Sequence, residues 1–188
     1  MEWDESLRYN YPLNKDSIVF DIGGFEGTWA QGIYSKYLCH IFVFEPVKEF
    51  YDIIKSKLQE NCEVQIYNYG LGTKNEMISI SVNGMSTSIL DKAENNKEQV
   101  EIKDVLPIIS TFTSIDLMKI NIEGAEYDLL DYIIGEGFQA KLVNIQIQFH
   151  NNVNGYENRR QRIRDELTKT HHLTYDYPYT WENWEINK

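Results

Sequence analysis

Apolar residues along the chain fall into short runs separated by amphipathic stretches. Residues 17–22 form an apolar run that ends at glycines, the pattern of a strand buried on both faces. Residues 26–38 follow as a helix. Residues 40–45 are a second apolar run. Pro46 then sits where a helix can begin, because its missing N–H would be an orphan donor there anyway. Val47, Phe50, Tyr51, Ile54 and Leu58 recur at helical spacing and predict an amphipathic helix over 47–61. Residues 63–69 read as a third strand, and Gly70-Leu71-Gly72 breaks the pattern. Residues 77–82 alternate apolar side chains with serine, so that strand has one wet face. The alternation over 99–105 predicts its partner. Between them, 83–96 is polar and reads as a loop.

The second half repeats the rhythm. Residues 115–122 are an apolar strand interrupted by Lys119 and Asn121. A helix over 125–134 turns Leu129, Leu130, Ile133 and Ile134 inward and stops at Gly135 and Gly137. A strand over 142–149, a polar helix over 156–168, and a strand pair over 172–177 and 181–186 turned at Pro178 complete the chain. Strands alternating with helices at these lengths predict a Rossmann-like α/β fold with a mostly parallel sheet and helices on both faces. Ligands of such sheets bind at the C-terminal ends of the strands, so the residues just after each apolar run carry the candidate chemistry.

Two of those positions belong together. Asp21-Ile22-Gly23-Gly24-Phe25-Glu26-Gly27 ends one strand and opens a helix, and its glycines allow a sharp turn with close ligand approach. Glu45 ends the next strand, about 20 residues further on, where a carboxylate accepts both hydroxyls of a ribose. The alternative is a structural turn and an incidental Glu. A pyrophosphate on the helix N-terminus would suit a nicotinamide dinucleotide. Asp21 ahead of the turn would repel that anion and suits a cation, which favours S-adenosylmethionine.

Composition narrows the partners. The chain has 188 residues, which predicts a single domain over 1–188. Its 18 Lys and Arg against 29 Asp and Glu give a net charge of -11. That excludes a general nucleic-acid binder and disfavours anionic lipid surfaces. Cys39 and Cys62 form no disulfide framework and read as reduced thiols of a cytoplasmic protein. The acidic N-terminus is not followed by an apolar run, as a secretory signal would be.

Val19 to Gly27, Val43-Phe44-Glu45-Pro46, Asn68-Tyr69-Gly70-Leu71-Gly72, Ser86-Thr87-Ser88 and the run from Ile115 to Glu126 together resemble the FkbM family of S-adenosylmethionine-dependent methyltransferases. The most specific piece is Leu117-Met118-Lys119-Ile120-Asn121-Ile122-Glu123-Gly124-Ala125-Glu126. There the family shows Leu-Lys-x-Asp-x-Glu-Gly-x-Glu, and this chain carries Asn121 in place of Asp. Gln148 stands where a Glu often precedes the His of the strand over 142–149. The resemblance implies a seven-stranded methyltransferase sheet and O-methylation of a sugar, a capsular polysaccharide precursor or a natural product. The expected division is a cofactor half over 17–80, a substrate side over 115–188 and, over the polar stretch 83–97 with Ser86 and Ser88, either a lid or a disordered or crystal-contact loop. The resemblance places Asp21, Gly23 and Gly27 at the methionine and ribose region, Glu45 on the ribose, and Asn68 and Gly70 near the adenine. Gly24, Glu26, Pro46 and Asn121 complete the expected cofactor set.

A sugar hydroxyl is a poor nucleophile at neutral pH, so a general base is expected, and His150 and Glu123 are the strand-end candidates. A structural histidine and a carboxylate meeting a helix dipole are the alternatives. Lys119, in an apolar strand, either orients a substrate or forms a salt bridge to Glu123 or Glu126. Ser86, Ser88 and Arg159 are the substrate-binding candidates. Arg159 belongs to a group with Arg160, Arg162 and Arg164 that would hold a phosphorylated or nucleotide-linked sugar or form a solvated helix face. No metal-binding spacing occurs, so no metal is expected. The expected partner is a small saccharide-like molecule, with no nucleic acid and no membrane, and a monomer or homodimer. A nicotinamide-dependent oxidoreductase and a non-catalytic S-adenosylmethionine-binding subunit are the rival readings.

Overall fold

The computed structural model describes residues 4–83, 86–88 and 97–188. Its elements in chain order are β1 (Ile18–Ile22), α1 (Thr28–Tyr37), β2 (His40–Phe44), α2 (Lys48–Leu58), β3 (Val64–Tyr67), β4 (Gly70–Gly72), β5 (Glu76–Asn83), β6 (Ser86–Ser88) and β7 (Lys97–Asp104). They continue with α3 (Val105–Ser110), β8 (Leu117–Ile120), α4 (Glu126–Gly135), β9 (Asn144–Ile147), α5 (Tyr156–Leu167), β10 (His171–Tyr177) and β11 (Trp181–Ile186). A short 3-10 turn over Glu5–Tyr9 precedes β1.

Among the described residues, seven strands form one sheet in the order β10-β11-β9-β8-β1-β2-β3. β11 alone runs against its neighbours. The α/β expectation therefore holds. The apolar runs are buried on both faces because helices cover both. Val19, Ile41, Val43 and Leu117 pack under α1 and α2 through Trp29, Ile33, Ile54 and Leu58. Their sequence neighbours Phe20, Phe44 and Met118 point the other way, onto α3, α4 and α5.

Three local expectations change. The strand over 63–69 ends at Tyr67, and Gly70–Gly72 joins a second, four-stranded sheet ordered β4-β7-β5-β6. β5 and β7 pair antiparallel as expected, with Ile78 opposite Val100. Ile80 and Val100 of this sheet pack on Val47 and Phe50, which ties it to the start of α2. Residues 105–110 form a helix whose start is capped by the Asp104 carboxylate, accepting from Leu106 N at 3.0 Å. Six residues containing Pro107 are too few to show a period. Of the stretch read as a lid over 83–97, residues 84–85 and 89–96 lie outside the described residues.

One face of the large sheet carries a buried polar row. Asp21 pairs with Lys119, Lys119 with Gln146, Gln146 with Asn183 and Asn183 with Tyr175 in strand register. Paired residues on adjacent strands project to the same side, so the row is continuous. The Gln146 amide donates to Tyr11 Oη (2.6 Å), Tyr175 Oη (3.0 Å) and the Arg8 carbonyl (3.1 Å). The N-terminal segment thereby satisfies polar groups that would otherwise be stranded in the core.

Candidate functional site

The C-terminal ends of β1, β2 and β8 open into a cavity of about 330 Å³, a volume typical of small-molecule sites. Gly23, Glu45, Pro46, Asn121 and Glu123 line its floor, and Phe25, Phe50 and Gly70 line its side. Ile78, Ile80, Val100 and Ile102 of the second sheet form an apolar wall. That wall and the Phe25–Phe50 pair, with ring centroids 4.5 Å apart, were not foreseen as site elements. Their only sequence signal was the alternation over 77–82 and 99–105, which does not reveal what the apolar face covers.

The glycine turn is built by close approach. Gly23 has φ +80°, and a Cβ there would lie 2.0 Å from the Asn121 carbonyl oxygen. Gly23 N and Gly24 N both donate to the Phe44 carbonyl, at 3.0 and 3.3 Å, which pins the turn to the end of β2. Gly24 and Gly27 face away from the cavity, toward Val43 and Ile54. Glu26 is exposed, and its carbonyl accepts from Lys57 Nζ at 2.8 Å. Gly24, Gly27 and Glu26 are thus scaffold rather than wall.

Glu45 is only 5% exposed. Its Oε2 accepts from Phe25 N at 2.8 Å and its Oε1 from Val47 N at 2.9 Å. Burial pushes its carboxyl up to about 7, against the pull of the Val47 and Phe25 amides. Asn68 does not reach the cavity wall. Its amide donates to the Glu45 carbonyl (3.1 Å) and the Pro46 carbonyl (3.0 Å), fixing the turn that aims Glu45.

Asp21 and Lys119 require a correction. Asp21 is fully buried, and its Oδ1 lies 2.8 Å from Lys119 Nζ, itself 4% exposed. Lys119 also donates to the Gly23 carbonyl at 2.5 Å. The lysine is therefore paired as expected, but with the carboxylate of the adjacent strand rather than with Glu123 or Glu126. Lys119 takes Oδ1, Oδ2 is buried without a hydrogen-bond partner, and Asp21 does not line the cavity, so the charge argument that used it to choose a cofactor loses its support. Burial raises the Asp21 carboxyl, opposed by Lys119. Lys119 supports the glycine turn from beneath and is not among the residues that line the cavity.

His150, a general-base candidate, lies between two glutamates. Its Nδ1 lies 3.1 Å from Glu126 Oε1 and its Nε2 3.5 Å from Glu123 Oε1. Burial pulls the imidazole down, but the hydrogen bonds and charges of the two glutamates outweigh it and hold the ring at about 9. That direction favours the protonated ring near neutral pH and works against a base role for His150. Glu123 lines the cavity.

The arginines on α5 are paired with carboxylates. Arg159 bonds Asp128 (2.5 Å) and Asp131 (3.3 Å), Arg162 bonds Asp131, and Arg160 and Arg164 share Asp176 and Glu182. Arg159, expected at the substrate, is paired with Asp128 and Asp131 and is not among the residues that line the cavity. Ser86 and Ser88 lie on β6, and their side chains lie outside what the structure describes.

The chain fits a nucleoside cofactor on its own observations. The Asn121 Oδ1 is buried without a hydrogen-bond partner beside the cavity, and the Glu45 oxygens each retain lone pairs beyond their backbone donors. The space a Gly23 Cβ would need is already taken by the Asn121 backbone, so the turn can only be built with glycine. Strand order, glycine turn and ribose-type acid define an α/β methyltransferase fold. The Methyltransferase FkbM domain matches residues 21–177, and the chain belongs to the FkbM methyltransferase family. This is a family of S-adenosylmethionine-dependent enzymes.

Solved structures agree on the fold. A Methyltransferase FkbM from Methylobacillus flagellatus superposes with a TM-score of 0.60 at 12% identity, covering 93% of this chain and 44% of that one. This chain thus spans less than half the length of that relative. A methyltransferase of Streptococcus mutans in complex with S-adenosylhomocysteine gives 0.59 at 12% identity, covering 93% and 91%. An rRNA methylase of Streptococcus thermophilus gives 0.55 at 12% identity, covering 94% and 90%. No curated protein sequence matches the chain. No helix among the described residues is long and apolar enough to cross a membrane.

The Glu45 environment yields a pH dependence. If Glu45 accepts the ribose hydroxyls as a carboxylate, binding competes with protonation of a group that burial pushes up to about 7. Affinity for S-adenosylhomocysteine is expected to rise about tenfold from pH 6 to pH 8. Uptake at pH 6 should release close to one proton, seen as a buffer-dependent enthalpy in calorimetry. A flat profile across that range would mean that Glu45 does not carry the ribose.

Proposed function

We propose that the chain transfers a methyl group from S-adenosylmethionine to an oxygen of a small, uncharged polar acceptor, a saccharide being the leading class. The observation that supports this reading most is the shared cavity of Glu45, Asn121 and Glu123 at the strand ends. Glu45 would hold the ribose hydroxyls, Asn121 Oδ1 would meet a donor on the cofactor, and the apolar wall of β5 and β7 would take an uncharged ring. The bound cofactor supplies a methyl group already activated by its sulfonium. What the protein adds is alignment, exclusion of water and a place for the acceptor's proton. Glu123, which lines the cavity, would take that proton.

The acceptor's charge follows from the electrostatics. With a net charge of -11 and every arginine of α5 on a carboxylate, the protein offers a phosphate or an RNA backbone little to bind. This reading favours a neutral saccharide over a nucleotide-linked one and over ribosomal RNA. The free thiols Cys39 and Cys62 support a cytoplasmic setting.

The test is a thermal-shift titration with S-adenosylhomocysteine and, in parallel, NAD. Saturation at a hundredfold the dissociation constant stabilises by about 2.7 kcal/mol, roughly 5–10 °C for a chain of this size. A shift with S-adenosylhomocysteine alone is expected. A shift with NAD alone would overturn the methyltransferase reading, and no shift with either would leave a non-catalytic role.

A further inference from the structure

Glu126 has no role in the reading above, yet it is the most tightly held carboxylate of the site. It is completely buried at the first turn of α4. Its Oε2 accepts from Gly124 N at 2.9 Å. Its Oε1 accepts from His150 N at 2.7 Å and lies 3.1 Å from His150 Nδ1. One side chain thus ties the end of β8 to the end of β9.

The turn it holds is unusual. Glu123 has φ +54° and Gly124 φ +108°. The left-handed region is costly for a residue with a Cβ, and such outliers persist only where the surroundings over-determine them. Gly124 cannot be replaced cheaply, since a Cβ would lie 2.8 Å from Val153 Cγ2. The strained residue is the one whose carboxylate lines the cavity.

We propose that Glu126 is the positioning residue of this site, holding both His150 and the left-handed turn that presents Glu123 to the cavity. Its Oε2 fixes the turn through Gly124, and its Oε1 fixes the ring that faces Glu123 from the other side. The result is a carboxylate–imidazolium–carboxylate row in which only Glu123 opens toward a ligand. The groups around His150 are few. Glu123 and Glu126 come from the β8–α4 side, and Tyr127 donates its hydroxyl to the His150 carbonyl at 2.8 Å. From α5, Arg160 lies 5.9 Å from the neighbouring Phe149 ring. The two glutamates are the anions in contact with the ring, so removing one should register in its titration. The role in methyl transfer rests on the function proposed above, but the clasp itself does not.

The experiment is a titration of the His150 imidazole by nuclear magnetic resonance in the full chain, assigned with His150→Asn. In the wild type the midpoint is expected at about 9. In Glu126→Gln it should fall by at least about one pH unit. An unmoved midpoint overturns the proposal, because a purely packing role for Glu126 would leave the ring's proton where it was. Should Glu126→Gln fail to fold, amide exchange in the wild type decides. Gly124 and His150 amides held by a buried carboxylate exchange slowly, and exchange at the rate of open loops overturns the clasp. S-adenosylhomocysteine binding to the wild type, measured separately, tests the methyltransferase reading and leaves the His150 result standing either way.

Discussion

Lys119→Met should destabilise the protein by about 3–5 kcal/mol, because it strands a fully buried carboxylate without its counter-charge. For a chain of this size that lowers the melting temperature by roughly 10 °C. The cost comes from Asp21, not from lost substrate contact, and a second variant separates the two. In Asp21→Leu combined with Lys119→Met the pair is replaced by apolar groups, and more than half of the lost stability should return. Full recovery is not expected, since the Gly23 carbonyl also loses its donor. A single-variant loss under about 1 kcal/mol, read by chemical denaturation, would mean that Asp21 is already protonated and needs no partner.

Gly23→Ala should damage the fold and the site together. The substitution forces a Cβ into the left-handed region, at about 1–2 kcal/mol. It also sets that atom 2.0 Å from the Asn121 carbonyl oxygen. A backbone oxygen has no rotamer to change, and Asn121 directly follows β8, so β1 and β8 must part or the turn must unwind. Either movement displaces two walls of the cavity at once. We expect a stability loss of about 3 kcal/mol or more. We also expect at least about a tenfold fall in S-adenosylhomocysteine affinity, worth about 1.4 kcal/mol. Gly135→Ala is the control, since a Cβ at Gly135 meets nothing within 4 Å. Calorimetry on Gly23→Ala that returned wild-type affinity would remove the turn from the binding site.

Together these two variants show how the site is carried. Lys119 reaches up from the sheet to the Gly23 carbonyl, the Gly23 backbone packs on Asn121, and Asn121 lines the cavity. Lys119, Asp21, Gly24, Gly27 and Asn68 all belong to the expected constellation, and none of them is part of the cavity wall. They hold in place the residues that are.

The sequence by itself was enough for the strand–helix rhythm, the glycine turn, Glu45 at the end of the second strand and the Asn121–Glu126 segment. Each is written within a few consecutive positions, where the backbone's period and the needs of glycine and proline act directly. The tertiary structure decided which charges meet. The partner of Lys119 is 98 positions away in the chain, although the two residues are direct neighbours across β1 and β8. Arg159 is neutralised from α4, and Arg160 and Arg164 from β10 and β11. The His150 imidazole is pushed up to about 9 because Glu123 of the β8–α4 turn and Glu126 of α4 close on it. A three-residue strand and a six-residue helix also escaped the sequence, being too short to show a period. Local pattern is set by bonds along the chain. The charge state of a side chain is set by whatever lies within a few ångströms, and in a parallel sheet those neighbours come from remote segments.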